Sequence, residues 1–165
     1  MNKKRLRALA KHLEQMPETF KGKNEWEPFD WPLRIRDMEK IWTSDPNIKS
    51  VFLMKTWGMY HQKEKTFCGC IAGHTVFHLG REAFGPRLEH WSGTYGVEEL
   101  ARYILELTLK EGNALFVPFD TDLGDISAEE AADACRRLAA GEPLDKLWGY
   151  LPIQKETENG HQATV

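Results

Sequence analysis

Long hydrophobic runs are absent from this chain of 165 residues. Apolar stretches such as Val51–Met54 fall far short of the roughly 18 consecutive apolar residues that cross a bilayer as a helix. The basic start, Lys3–Arg7, leads into a charged helical pattern and not into the apolar core of a signal peptide. The sequence therefore predicts neither membrane insertion nor secretion.

Cysteine is also scarce, with three residues in the whole chain. An odd number leaves one thiol unpaired even when the other two are bonded, which fits a reducing compartment better than an oxidising one. We therefore expect a cytoplasmic location.

Common catalytic and nucleotide-binding motifs are missing as well. The chain contains no Gly-x-Gly-x-x-Gly, no phosphate-binding Gly-Lys-Ser/Thr, no Gly-x-Ser-x-Gly and no His-Glu-x-x-His. The acidic run Asp120–Asp125 suggests calcium, but the positions that a calcium-binding loop needs as Gly and Glu hold Asp125 and Ala131. The sequence thus predicts no cofactor, and a non-enzymatic protein is favoured over an enzyme.

Residues that build a hydrophobic core are abundant. Hydrophobic residues make up 41% of the chain, which includes 6 Trp and 8 Phe. The length is close to the roughly 100–150 residues that are typical of one domain. We expect a single helical domain over residues 1–152, followed by a polar C-terminal tail over residues 153–165.

Apolar periodicity predicts a mainly α fold of five to seven helices. The first helix is predicted over residues 2–16, where apolar residues recur at three- and four-residue spacing: Leu6, Leu9, Leu13 and Met16. Residues 33–57 mix β-branched and aromatic residues with short apolar runs, so both helix and strand remain open there. We expect a minor β element in that region at most.

Local capping signals predict two later helix starts and one helix end. Thr108–Glu111 and Ser127–Glu130 both have the capping-box pattern, in which the hydroxyl and the glutamate satisfy amides of the first turn. Gly141 is a natural stop for the second of these helices.

The densest set of chemically active side chains lies between residues 68 and 78. A buried helix is predicted to begin near Gly69, and three side chains on it share one stripe at four-residue spacing: Cys70, His74 and His78. With Cys68 they offer the thiolate and imidazole donors that zinc takes. Structural zinc sites generally draw ligands from two elements, so the sequence favours small buried cysteines and hydrogen-bonded histidines, and it predicts no bound metal.

The same residues carry an enzymatic alternative. Cys68 or Cys70 at a helix N-terminus would be more acidic than a free thiol, and His74 or His90 would be the base. The surrounding sequence matches no cysteine hydrolase, and no orienting Asn or Asp stands out. A small metal- or thiol-dependent enzyme that uses Cys68, Cys70, His74 and His78 is therefore the alternative function.

Charge is unevenly distributed along the chain. Residues 1–65 carry 14 Lys and Arg against 9 Asp and Glu, whereas the 10 acids from Glu98 to Asp133 face only Arg102 and Lys110. An acidic surface of this kind attracts a basic partner. The predicted partner-binding residues are Glu98, Glu99, Glu106, Glu111, Asp120, Asp122 and Asp125.

A family resemblance rests on five segments, which are Leu6–Pro17, Phe52–Trp57, Cys68–His74, Ala101–Phe116 and Ile126–Ala132. Together they resemble a loose family of uncharacterised small phage and bacterial proteins. In that family Cys-Gly is followed by two or three residues and then by Cys-Ile-Ala-Gly with His or Trp, so the shorter Cys68-Gly69-Cys70 spacing is a departure. The resemblance implies an origin on a mobile element and a mostly helical fold, and it supplies no substrate.

These features predict a phage- or mobile-element-encoded interaction protein. Its expected partner is a host protein or protein–nucleic acid defence complex with a basic surface, which it would inhibit. No membrane partner is expected. Direct nucleic-acid binding is a further alternative, through the basic residues of the first helix: Lys3, Lys4, Arg5, Arg7 and Lys11.

Overall fold

The computed structural model describes residues 1–16, 38, 41, 47–54, 57–61, 65–85, 96–117 and 126–148. Helices dominate these residues: α1 (Lys3–Glu14), α2 (Ile71–Phe84), α3 (Val97–Leu105), α4 (Leu109–Phe116), α5 (Ala128–Ala140) and the short 3₁₀ helix η1 (Leu144–Lys146). The strands are β1 (Lys49–Phe52), β2 (Met59–His61) and β3 (Thr66–Gly69). The predicted fold class, mainly α with a minor β element, is confirmed.

The three strands form one mixed sheet in the order β1-β3-β2. Strand β1 runs parallel to β3 with Val51 opposite Cys68, and β2 runs antiparallel to β3 with Met59 opposite the same residue. The sheet therefore extends beyond the predicted limit of residue 57 and reaches Gly69.

The prediction that a helix opens near Gly69 is wrong by two residues. Cys68 and Gly69 belong to β3, Cys70 is the N-cap, and α2 begins at Ile71. All four residues of β3 are buried because the strand is central in the sheet. A strand covered on both faces lacks the polar alternation of a half-exposed strand. Its short apolar run therefore predicts a helix as well as it predicts a strand.

Close backbone packing fixes the first turn of α2 against the chain before β2. A Cβ atom at Gly73 would collide with the carbonyl oxygen of Trp57, so only glycine fits this position. The helix is thereby held at a fixed distance from the sheet.

Helix α1 packs mainly on α5, and α2 packs mainly on α3. The apolar stripe predicted for the first helix is buried in this interface, through Leu6, Leu9 and Leu13. The side chain of Asn2 caps α1 by accepting a hydrogen bond from the backbone amide of Arg5. The backbone amide of Asn2 donates to the carbonyl oxygen of Leu105 at 2.7 Å. The start of the chain is thus attached to the end of α3.

Both predicted capping boxes are present. Thr108 and Ser127 each accept a hydrogen bond from the backbone amide of the glutamate three residues later, whose carboxylate bonds back to the cap. Gly141 ends α5 with φ at 85°, the left-handed conformation that glycine adopts without strain.

Several predictions fall outside the described residues. These are most of the segment 33–48, the acidic residues Asp120, Asp122 and Asp125, and the polar tail over residues 153–165. None of the described helices is both long enough and apolar enough to span a membrane.

Candidate metal centre

Three histidines from two helices converge at one point beside the sheet. His12 comes from the last turn of α1, and His74 and His78 come from α2. One ring nitrogen of each lies within 4.8 Å of the corresponding nitrogens of the other two. Donor atoms this close together form a group that one ion can contact.

The helical spacing of His74 and His78 explains why two of the three rings lie side by side. Residues four apart on a helix project from the same face. Their rings are stacked with 8° between the planes and 5.6 Å between the centroids. The sequence predicted this shared face.

His12 is the member that the sequence analysis missed. Its ring centroid lies 3.5 Å from that of His78 and 5.4 Å from that of His74. The signal was present in the sequence, because His12 immediately precedes the buried Leu13 on the predicted first helix. What the sequence does not show is that this edge of α1 faces α2.

Strand β1 fixes the orientation of the two histidines of α2. The Nε2 atom of His74 lies 3.0 Å from the carbonyl oxygen of Val51, and Nε2 of His78 lies 3.1 Å from the hydroxyl oxygen of Ser50. A carbonyl oxygen only accepts, so Nε2 of His74 carries the proton and its Nδ1 presents a lone pair. Metal-binding histidines are commonly held in this way, with the second ring nitrogen bonded to the protein.

Two ring nitrogens of the cluster are buried without a hydrogen-bond partner. They are Nδ1 of His74 and Nε2 of His12. A buried polar atom left unsatisfied costs about 1–3 kcal/mol, and most such atoms in folded proteins do have a partner. Two such atoms in one cluster are positions that a water molecule or a metal ion could satisfy.

Burial keeps the three imidazoles neutral at pH 7. It lowers the pKa of His12 to about 4 and the pKa of His78 to about 3. Burial, together with the neighbouring His78 and His12, holds the pKa of His74 well below its usual value. Neutral imidazole is the form that binds a metal ion.

Aromatic rings surround the innermost histidine. The ring of Phe67 lies edge-on to His74 at 4.9 Å, and the ring of Phe52 lies 6.3 Å away. Phe67 also stacks on Phe77 with 4.1 Å between centroids. These contacts hold the His74 ring in an apolar environment.

The structure separates the cysteines from the histidines. In the described part of the chain the metal-ligand group contains His12, His74 and His78 but neither Cys68 nor Cys70. Burial raises the pKa of Cys68 to about 12. It also raises the pKa of Cys70, although the nearby backbone amides of Ala72 and Gly73 favour the thiolate. Both side chains are buried thiols at neutral pH, as the sequence favoured.

The predicted acidic surface is partly engaged within the chain. Glu99 pairs with Arg102 at 3.7 Å, Glu106 accepts from Asn2, and Glu111 closes the capping box of α4. Glu98 is exposed in the first turn of α3.

Comparison with known proteins gives no match: no family model, no curated protein and no solved structure corresponds to this chain. The donor atoms of the site are therefore the basis for inferring which ions it can bind. Imidazole nitrogens suit zinc, copper, nickel and iron, whereas calcium and magnesium require oxygen ligands. Zinc bound at 2.0–2.1 Å places neighbouring donors about 3.4 Å apart, and the three donor atoms here all lie within 4.8 Å of one another, so binding would draw them closer together.

Proposed function

We propose that this protein binds one divalent transition-metal ion, zinc in the first instance, through His12, His74 and His78. The observation that carries the proposal is the pair of buried, unpartnered ring nitrogens within a cluster of three histidines. The sequence analysis expected no metal; that expectation stays untested, and the histidine geometry is the reason to propose the opposite.

The ligands come from two separate elements, as the sequence argument required of a structural zinc site. Helix α1 supplies His12, and α2 supplies His74 and His78. A bound ion would therefore link the N-terminal helix to the helix that follows the sheet. Zinc would stabilise the fold by joining these elements.

The test is a zinc titration of chelator-treated protein followed by calorimetry and elemental analysis. We expect one zinc per chain in the wild type. His12→Gln and His78→Gln each remove one donor and should weaken binding at least 100-fold, while circular dichroism reports whether each variant is folded. The matched control is His161→Gln, which changes a histidine outside the described residues and should bind as the wild type does. Wild-type protein that takes up no zinc, or folded variants that bind it equally well, would refute the proposal.

A second candidate function is the predicted interaction with a host protein. It is favoured by the exposed surface of α3 and α4, where three large apolar side chains reach solvent: Tyr103, Leu109 and Val117. Glu98 and Glu106 are exposed near the two ends of α3. Exposed apolar and acidic side chains on α3 and α4 fit a partner that offers apolar and basic groups.

In this second reading the chain is a cytoplasmic protein of phage or mobile-element origin that inhibits a host defence complex. Charge reversal tests the surface. Glu98→Lys with Glu106→Lys should reduce recovery of the host partner, and the recovery of wild type should fall as salt rises. The matched control reverses two charges on the exposed face of α1, Lys3→Glu with Arg7→Glu, and should leave recovery unchanged. The opposite ranking would favour nucleic acid or an acidic partner.

A further inference from the structure

The three-histidine site contributes no negative charge to the ion that we propose it holds. Imidazole is neutral when it binds a metal, and no carboxylate or thiolate of the described residues joins the cluster. A divalent ion there would keep both positive charges. Uncompensated charge is costly in an environment of low dielectric constant.

The contacts that the described residues make with the two α2 histidines supply no compensating charge either. The rings of Phe52 and Phe67 cover His74, and the polar contacts of the two α2 histidines are the carbonyl of Val51 and the hydroxyl of Ser50. All of these groups are neutral. A charge that compensates the ion would therefore come from a group outside these contacts.

A tetrahedral ion in this site would have one coordination position that the protein does not fill. Three protein donors leave a tetrahedral ion with one further position, as in zinc sites that bind water or substrate. His74 is fully buried, whereas His12 and His78 are partly exposed residues, so the cluster lies nearest to solvent on their side. Arg7 and Lys11, exposed on the same helix as His12, raise the local concentration of anions.

We propose that the metal ion held by His12, His74 and His78 takes a small monoanion from solution as its fourth ligand. This inference rests on the proposed metal binding. The exchange replaces a bound water by the anion and lowers the charge of the site from two to one, and no covalent bond of the protein changes. The ligand class is a small inorganic or carboxylate monoanion, and azide is the probe.

The experiment uses the full chain loaded with Co²⁺, which binds in place of zinc and has visible absorption bands that depend on its ligands. Addition of Co²⁺ alone should produce bands whose intensity saturates at one ion per chain. Azide should then shift these bands and saturate at one azide per Co²⁺. Sodium perchlorate at the same ionic strength coordinates weakly and should leave the spectrum unchanged.

The two proposals fail in different ways. If Co²⁺ gives no saturable bands, the metal site itself is refuted. If Co²⁺ binds but azide, like perchlorate, leaves its absorption bands unchanged, the metal site is supported and the anion ligand is refuted. A shift that azide and perchlorate produce equally would also refute the anion ligand, since it reports ionic strength and not coordination.

Discussion

The guanidinium group of Arg5 donates a hydrogen bond to the main-chain oxygen of Ile104 at 2.8 Å. Ile104 lies in the last turn of α3, where carbonyl oxygens lack partners within the helix and the helix dipole is negative. Arg5 is thus a structural cation, although the sequence places it in a cluster of basic residues that resembles a phosphate-binding surface. It also holds α1 in the position from which His12 reaches α2.

Replacement of Arg5 should therefore destabilise the protein more than replacement of its neighbour. Arg5→Ala removes a charge-assisted hydrogen bond and leaves the Ile104 carbonyl without this donor, so we expect a loss of about 1.5–3 kcal/mol in the free energy of unfolding. Lys4→Ala changes an exposed residue of the same helix and should stay within about 0.5 kcal/mol. Urea denaturation measures both values, and equal losses would show that the bond contributes nothing.

Ser50 should affect zinc affinity without being a ligand. Ser50→Ala removes the partner of the His78 ring, and loss of such an orienting contact lowers metal affinity about 10–100-fold. Ser127→Ala is the control, because it removes the cap of α5 and should cost about 1 kcal/mol of stability while leaving zinc affinity unchanged. Competition with a zinc-binding dye gives both affinities. If the two variants lose affinity equally, the Ser50 contact is not an orienting one.

The metal-free protein should lose stability as the pH falls below 6.5. In the folded state the pKa of each clustered histidine lies below the ordinary 6.5. It is about 4 for His12 and about 3 for His78. Between these values and 6.5 the unfolded chain binds more protons than the folded chain, so the free energy of unfolding decreases with decreasing pH. Denaturation midpoints measured at pH values above the range in which carboxylates titrate give the slope of stability against pH. Folded His78→Gln should show a shallower slope, and an unchanged slope would contradict the assignment.

The thiols should react slowly in the native state. All three cysteines are buried, and burial raises the pKa of Cys68 and of Cys135 to about 12. The thiolate is the reactive species, so alkylation at neutral pH should be much slower than in denaturant. Mass spectrometry of timed samples follows each cysteine. Rapid, selective modification of Cys68 or Cys70 in the folded protein would instead support the thiol-enzyme alternative.

Gly73 should tolerate no larger residue. Gly73→Ala places a methyl group where the Trp57 carbonyl lies, so α2 must move away from the sheet, at a cost of about 1–3 kcal/mol or more from overpacking. Gly96→Ser is the control, because a side chain at Gly96 meets open space and serine is a favourable N-cap. Thermal unfolding distinguishes the two. A Gly73 variant as stable as the control would show that the approach of Trp57 is not constrained.

Local signals in the sequence were sufficient to predict much of the helical framework. The stripe of Leu6, Leu9 and Leu13 predicted α1, and the capping boxes at Thr108 and Ser127 predicted the starts of α4 and α5. These features depend only on residues close together in the chain. They could therefore be predicted without knowledge of the tertiary structure.

The rest depends on contacts between distant segments. All four residues of strand β3 are buried, so the strand shows no polar alternation and its pattern resembles the start of a helix. The predicted shared face of Cys70, His74 and His78 is confirmed for the two histidines, because helical spacing alone brings them together. The third histidine, His12, joins them only through the packing of α1, which no local pattern encodes.

The strand order has a consequence for how the histidine cluster forms. Strand β3 is the last of the three in the chain but lies between the other two, so β1 and β2 remain unpaired until β3 is inserted. Ser50 and Val51, which orient the two histidines of α2, belong to β1. During synthesis they acquire a fixed place only after Gly69 has emerged, and His74 and His78 follow within nine residues. The two polar contacts that orient His74 and His78 therefore depend on the pairing of β1 with β3, a strand that lies later in the chain.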